Sequence, residues 1–137
     1  MQKVKVDSAT VDDFDMHGID FGVGVAAGDL NVRANYSITQ GTGNGVFGGH
    51  GVTGGSEEED ANQWYLESTY DIDKTKLGAS YGEGSDDLSD VDTDLIMLFV
   101  HHKATDALTL MVEVQDFNTD AADSDYSAFI VGTQFTF

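Results

Sequence analysis

Ten polar or charged residues of the sequence occupy alternate positions in segments whose other positions are largely apolar. They are Asp20, Asn31, Arg33, Asn35, Gln63, Glu67, Lys76, Glu113, Gln115 and Gln134. Side chains alternate between the two faces of a strand, so all ten would share one face if these segments are strands. The set has two cations, Arg33 and Lys76, and its carboxylates are Asp20, Glu67 and Glu113. We expect Arg33 and Lys76 to lie near Asp20, Glu67 or Glu113. Such charges could either set the field that a passing solute feels or neutralise one another inside a filled interior.

Other residues that could carry chemistry lack the spacing of a known site. The acidic runs "SEEED" and "GSDDLSDVDTD" could bind Ca²⁺ or Mg²⁺, but neither has the EF-hand spacing, which favours solvated acidic loops. The glycine-rich segment before "SEEED" has no P-loop spacing, which favours a flexible loop. Adjacent His101 and His102 would point to opposite faces of a strand, and His17 and His50 show no paired ligand spacing.

No motif places a nucleophile, a base and an orienting acid together. The sequence therefore predicts a protein that is not an enzyme and that has neither a metal site nor a cofactor.

Composition narrows the class of protein. The 137 residues fit a single domain spanning residues 1–137. A formal net charge of −19, from 25 Asp plus Glu against 6 Lys plus Arg, argues against nucleic acid as a partner. The absence of cysteine excludes disulfides and thiolate sites. No apolar run reaches the length of about 18 residues that a transmembrane helix needs, and residues 1–10 lack the apolar core of a signal peptide.

Seven segments of about ten residues alternate with period 2, and the segment "QKVKVDSA" is a candidate eighth strand. We expect short connections at 27–29, 72–74 and 103–106, and long acidic or glycine-rich connections at about 40–61, 84–92 and 118–125. The segment "DLIMLFVHHKA" is apolar on both faces, so alternation leaves its register open. Short turns at one end and long loops at the other are typical of transmembrane β-barrels.

The pattern predicts an all-β fold, an antiparallel transmembrane β-barrel of the outer-membrane type with seven to eight up-and-down strands. Aromatic residues near the segment ends would form an interfacial girdle; they are Tyr36, Trp64, Tyr70, Tyr81, Phe117, Tyr126, Phe135 and Phe137. A soluble barrel or sandwich also alternates. The polar face here contains Gly, Asn, Gln, Arg and Glu rather than a packed aliphatic core, which favours the membrane barrel.

The C-terminal strand is the most specific signal in the chain. Its alternate residues Phe129, Val131, Thr133, Phe135 and Phe137 end on a terminal phenylalanine. This pattern resembles the C-terminal signature of Gram-negative outer-membrane proteins, which the barrel assembly machinery reads. The segments "FGVGVAAGDLNVRANYS" and "FVHHKATDALTLMVEVQDFNTD", with the tail, resemble hairpins near the C-terminus of general diffusion porins. The likeness covers about residues 17–39 and 62–137.

This resemblance implies a cell outer membrane location, contact with outer-membrane lipid and lipopolysaccharide, and passive diffusion of small hydrophilic solutes and ions. It also implies a homo-oligomer, a trimer by family, or pairing with the remaining part of the same porin. The acidic loops and mouth favour cations. The chain departs from the family in showing neither a constriction loop nor the usual arginine cluster, of which Arg33 is the single representative.

Strand number leaves two functions open. General porins have about sixteen strands, whereas side chains fill the interior of an eight-stranded barrel. If residues 2–9 pair with 127–137, eight strands can close into a surface anchor or adhesion module that acts through its loops. Otherwise the chain is the C-terminal part of a larger channel.

Overall fold

The computed structural model describes residues 2–4, 14–40, 60–86, 90–120 and 125–137. These residues form one antiparallel sheet of eight strands in the order of the chain, each hydrogen-bonded to the next. The strands are β1 (Gln2–Val4), β2 (Phe14–Ala27), β3 (Leu30–Gln40), β4 (Asp60–Ile72), β5 (Thr75–Asp86), β6 (Val91–Thr105), β7 (Leu108–Thr119) and β8 (Tyr126–Phe135). The predicted all-β antiparallel fold is confirmed.

Strands β2 to β8 are long enough to cross a bilayer. They contain between 10 and 15 residues each, and a tilted transmembrane strand needs about 9 to 11. No helix in the described ranges is long and apolar enough to cross a membrane.

Tight turns join the strands at one end of the sheet. Two residues separate β2 from β3, β4 from β5 and β6 from β7. Gly28 and Asp73 adopt positive φ angles of 64° and 52°, which hairpin turns of this length require. The connections predicted at 27–29 and 72–74 are confirmed, whereas the third comprises residues 106–107 rather than 103–106, because Lys103 and Thr105 still pair with β7 across an irregularity in β6.

The β5–β6 connection at the other end is shorter than the predicted 84–92. It comprises residues 87–90, because Gly84 pairs with Thr93 and Ser85 with Asp92. Backbone pairing does not depend on apolar side chains, so alternation of hydrophobicity ends before the strands do. Residues 41–59, 87–89 and 121–124 lie outside the described part of the chain.

The two faces of the sheet differ in both chemistry and exposure. Most large apolar side chains are exposed on one face, for example Ile19 at 72%, Phe21 at 68% and Phe129 at 70%. The buried residues Ser37, Ala61, Thr69 and Phe99 all belong to the opposite face, which also carries most of the polar side chains. We therefore call the first face convex and the second concave. Apolar groups point outward, which is the reverse of a soluble sheet.

The register of β6 is fixed by its neighbours. Leu98 pairs with Ala79 and Val114, and Val100 pairs with Leu77 and Val112, so Ile96, Leu98 and Val100 lie on the convex face. Met97 and Phe99 consequently lie on the concave face. The alternation of β6 itself could not decide between these arrangements, because a shift by one residue exchanges the faces.

Part of the predicted aromatic girdle is present. Tyr36, Trp64 and Tyr81 lie on the convex face near the long-loop end, where the Trp64 and Tyr81 rings meet edge to face at 5.6 Å. Tyr70 and Phe135 lie on the convex face near the tight turns.

The prediction is wrong for Phe117 and Tyr126, which lie on the concave face and stack on each other at 5.1 Å. Phe117 follows Glu113 and Gln115 at even spacing, so alternation places it with them.

Within the described residues, the sheet is open between β1 and β8. Gln2–Val4 pair with Phe14–Met16 of β2, and β1 makes no contact with β8 within the described residues. The eight-stranded closure through pairing of residues 2–9 with 127–137 is therefore absent for Gln2–Val4, and residues 5–9 lie outside the described part. The backbone groups at a sheet edge need partners in a membrane.

An arginine introduced on either face of the sheet tests the assignment of the faces. We expect Val112→Arg, on the convex face, to cost about 2–4 kcal/mol of folding free energy near the bilayer midplane. Asn35→Arg, on the concave face, should be tolerated. Urea unfolding of each variant in lipid vesicles measures the difference, and equal losses in both variants would contradict the assignment.

Candidate functional site

All ten polar residues identified from alternation lie on the concave face. The pairing register connects them row by row across β2 to β8; they are Asp20, Asn31, Arg33, Asn35, Gln63, Glu67, Lys76, Glu113, Gln115 and Gln134. This surface, which we call the concave wall, is the candidate functional site.

Arg33 and Glu67 form an ion pair at the centre of the wall. They are direct cross-strand partners on β3 and β4, and Nη2 and Nε of Arg33 donate to Oε1 of Glu67 at 2.6 Å and 3.0 Å. The Arg33 side chain is 64% exposed, whereas that of Glu67 is 17% exposed. The Arg33 guanidinium therefore projects away from the sheet, and the less exposed carboxylate of Glu67 neutralises its charge. This is one of the pairings that the sequence predicts.

Lys76 pairs with Asp71 rather than with the predicted Asp20, Glu67 or Glu113. The two residues face each other beside the tight β4–β5 turn, and Nζ lies 2.9 Å from Oδ1 of Asp71. Asn31 donates to the other carboxylate oxygen at 3.5 Å. Asp71 was missing from the candidate set, although its spacing from Glu67 places it on the same face.

The two remaining carboxylates of the predicted set have uncharged or titratable partners. Nδ2 of Asn35 donates to Asp20 at 2.8 Å, and Nε2 of His101 lies 3.2 Å from Oε1 of Glu113. His102 lies on the convex side with Thr75, so the adjacent histidines do point to opposite faces, as predicted. Both cations of the predicted set, Arg33 and Lys76, are thus directly neutralised.

The half of the wall formed by β6 to β8 carries apolar residues that the sequence pattern did not predict. Its concave side carries apolar residues that the candidate set did not include: Leu95, Met97, Phe99, Met111, Phe117, Tyr126 and Ile130. Alternation could not assign the residues of β6 to a face, because "DLIMLFVHHKA" is apolar at nearly every position.

Phe99 lies flat against β5 in the space that a side chain at Gly78 would fill. A Cβ atom added to Gly78 would stand 2.0 Å from Cζ of Phe99, and only 9% of Phe99 is exposed. Glycine at position 78 is therefore required by packing, since its φ angle is ordinary.

An antiparallel sheet with an apolar convex face and a polar concave face forms the wall of an outer-membrane β-barrel. The chain belongs to the Gram-negative porin family, whose model matches residues 3–122. The protein is located in the outer membrane of a Gram-negative bacterium. The match begins earlier than the resemblance seen in the sequence and ends before β8.

Two solved structures share this fold. One is a loop-deletion mutant of OmpT, an outer membrane protein of Vibrio cholerae, with a TM-score of 0.67 and 22% identity over 97% of this chain and 43% of that chain. The other is a porin whose structure was refined at 1.8 Å resolution, with a TM-score of 0.67 and 19% identity over 98% of this chain and 44% of that chain. The chain thus spans less than half the length of these proteins. No curated protein matches the sequence.

A substitution at Gly78 tests the packing of the wall. We expect Gly78→Ala to displace the Phe99 ring and to lower the free energy of unfolding by about 1–3 kcal/mol, the usual cost of overpacking. Gly22→Ala is the matched control, because the nearest atom to its added Cβ stands at 3.9 Å. Urea titration in vesicles compares the two variants, and a Gly78→Ala protein as stable as Gly22→Ala would contradict this packing.

Proposed function

We propose that the chain forms part of the wall of a porin channel that lets small hydrophilic solutes and ions diffuse passively across the outer membrane. The observation that carries this proposal is the open eight-stranded sheet with its polar concave wall. The ten residues Asp20, Asn31, Arg33, Asn35, Gln63, Glu67, Lys76, Glu113, Gln115 and Gln134 line the pore in this proposal.

The open sheet favours a large pore over a filled barrel. Side chains fill an eight-stranded barrel, whereas about sixteen strands leave an aqueous channel. The sheet superimposes on an outer membrane protein and on a porin, each more than twice as long as this chain, and its edges need partner strands in lipid. Those strands come from the remaining part of the same porin or from further subunits, and the family favours a trimer.

The distribution of charge supports a preference for cations. Arg33 and Lys76 are paired with carboxylates, whereas Asp20 hydrogen-bonds to an amide. Most of the described charges at the long-loop end are carboxylates, among them Asp90, Asp120 and Asp125; Lys3, which pairs with Asp15, is a cation at this end. Lys74 and Lys103 lie near the tight turns. A mouth lined by one sign of charge concentrates ions of the opposite sign.

The remaining partners follow from the two surfaces. Outer-membrane lipid covers the convex face, and lipopolysaccharide meets it at the long-loop end. Phe129, Val131, Thr133, Phe135 and Phe137 supply the assembly signal, and the first four of these lie on the exposed convex side of β7 and β8. We propose no catalytic role, since the wall residues are arranged as cross-strand pairs rather than as a nucleophile with its base.

Conductance in a planar lipid bilayer tests the proposal. The protein, extracted in detergent, is inserted into the bilayer under a KCl gradient. Large, stable current steps with a cation-selective reversal potential are expected. An absence of current steps from protein that has demonstrably inserted would instead indicate a filled eight-stranded barrel acting as a surface anchor.

Removing one carboxylate tests which residues set the selectivity. Glu67→Gln leaves the charge of Arg33 without its partner, so we expect the ratio of K⁺ to Cl⁻ permeability to fall roughly sevenfold, because one unit charge about 7 Å away in water changes the energy of each ion by about 0.6 kcal/mol, in opposite directions for K⁺ and Cl⁻. The control is Glu83→Gln, a carboxylate of the convex face that contacts Trp64 and Tyr81. Reversal potentials give both ratios, and equal shifts in the two variants would remove Glu67 from the pore lining.

A further inference from the structure

The concave wall has an apolar patch that a purely water-filled channel does not need. We define the apolar patch as Leu95, Met97, Phe99, Phe117, Tyr126 and Ile130, on the concave side of β6, β7 and β8. The lumen-facing side of a porin strand is ordinarily polar. The opposite half of the wall, on β2 to β4, follows that rule with Asp20, Arg33 and Glu67.

The members of the patch surround Gln115. Leu95 pairs with Phe117, which in turn pairs with Tyr126, and four residues further along the strands Phe99 and Ile130 both flank Glu113. The row between these two contains Met97, Gln115 and Ala128, and Nε2 of Gln115 donates to Sδ of Met97 at 3.6 Å. Met97 and Ala128 therefore connect the two apolar rows on either side of Gln115.

The patch is accessible from the concave side. Tyr126 is 47% exposed and Ile130 is 40% exposed, and they are the two strand residues of the concave face that expose so much apolar surface in the described chain. Leu95, Met97 and Phe117 are partly exposed. Phe117 and Tyr126 stack with their rings 24° from parallel, and this leaves an aromatic platform beside the flexible thioether of Met97.

A carboxylate lies within the patch. Glu113 stands between Phe99 and Ile130 in the pairing register, and its Oε1 is 3.2 Å from Nε2 of His101. The nearest lysine in register, Lys76 opposite His101, is neutralised by Asp71 at 2.9 Å. Aromatic faces attract cations as well, so the charge and the rings favour the same kind of ligand.

We propose that the apolar patch is a binding site for organic cations that carry an apolar ring, with Glu113 as the counter-charge and the patch as the surface for the ring. The site deepens the proposed channel function, on which it rests, by adding ring-bearing cations to the solutes that the wall retains as they pass. The described β2–β4 half of the wall offers charge with one aromatic residue, Tyr65, and would distinguish such cations from simple ones less well than the patch.

A comparison of two cations of equal charge tests the site. Benzyltrimethylammonium carries a ring and tetramethylammonium does not, and each is titrated against the K⁺ current of single channels. We expect benzyltrimethylammonium to halve the current at an about tenfold lower concentration than tetramethylammonium, since burial of a ring on aromatic and apolar side chains adds to the attraction of the charge.

Two variants assign the effect to the patch. Ile130→Asn makes an exposed member polar, and Glu113→Gln removes the charge while keeping a hydrogen-bond acceptor for His101. Each should reduce the preference for the ring-bearing cation to about twofold or less. Asp20→Asn is the matched control, because it removes a wall carboxylate with four strands between it and Glu113, and it should retain the full preference.

The outcomes separate the site from the channel. Equal block by the two cations in a conducting protein, or a preference that survives Ile130→Asn and Glu113→Gln, would overturn the site and leave the channel standing. The second result would show that the ring-bearing cation is held at another part of the channel. If the protein conducts no current, the channel proposal fails. Binding of the two cations to protein in nanodiscs then decides the site by the same ring preference and the same variants.

Discussion

The structure depends on the need of every backbone N–H and C=O group in hydrocarbon to find a partner within the protein. From β3 to β7 each strand meets that need through antiparallel pairing with the strands on both sides, interrupted by the irregularity between Lys103 and Thr105. In paired strands successive side chains point to opposite faces of the sheet. One face meets lipid and the other meets water, so even the 10-residue strand β8 carries residues suited to each of the two environments.

The two ends of the sheet follow from the same constraint. Where the backbone leaves the apolar layer through tight turns, Gly28 and Asp73 reverse the chain in two residues. At the other end Trp64 and Tyr81 mark the boundary of the layer, and both hydrogen-bond through their polar atoms to Glu83. An aromatic ring with a polar edge is suited to this position because one side of it stays dry and the other stays wet.

The concave wall is held together mainly by cross-strand neighbours. Arg33 with Glu67 and Lys76 with Asp71 lie directly opposite each other in register, so the strand pairing sets how close the two residues of each pair stand. Gly78 and Phe99 are also cross-strand partners, and the Phe99 ring occupies the space that a side chain at position 78 would fill. Division of the wall into a charged half and an apolar half therefore follows from which residues the strands place side by side.

The sequence by itself determined the strands, the outward direction of the apolar residues and the shared face of the ten polar ones, because a period of two is a local property of the chain. It also located the turns at 27–29 and 72–74, where glycine and aspartate permit tight reversal. It could not determine the register of β6, because residues 95–100 are apolar on both faces, and only pairing with β5 and β7 selected one of them. The partner of Lys76 and the position of Phe99 over Gly78 were likewise decided by tertiary structure, since each depends on which residue the neighbouring strand places opposite. The open edge between β1 and β8 belongs to this second group, because pairing between the first and last strands is a long-range property that no local pattern encodes.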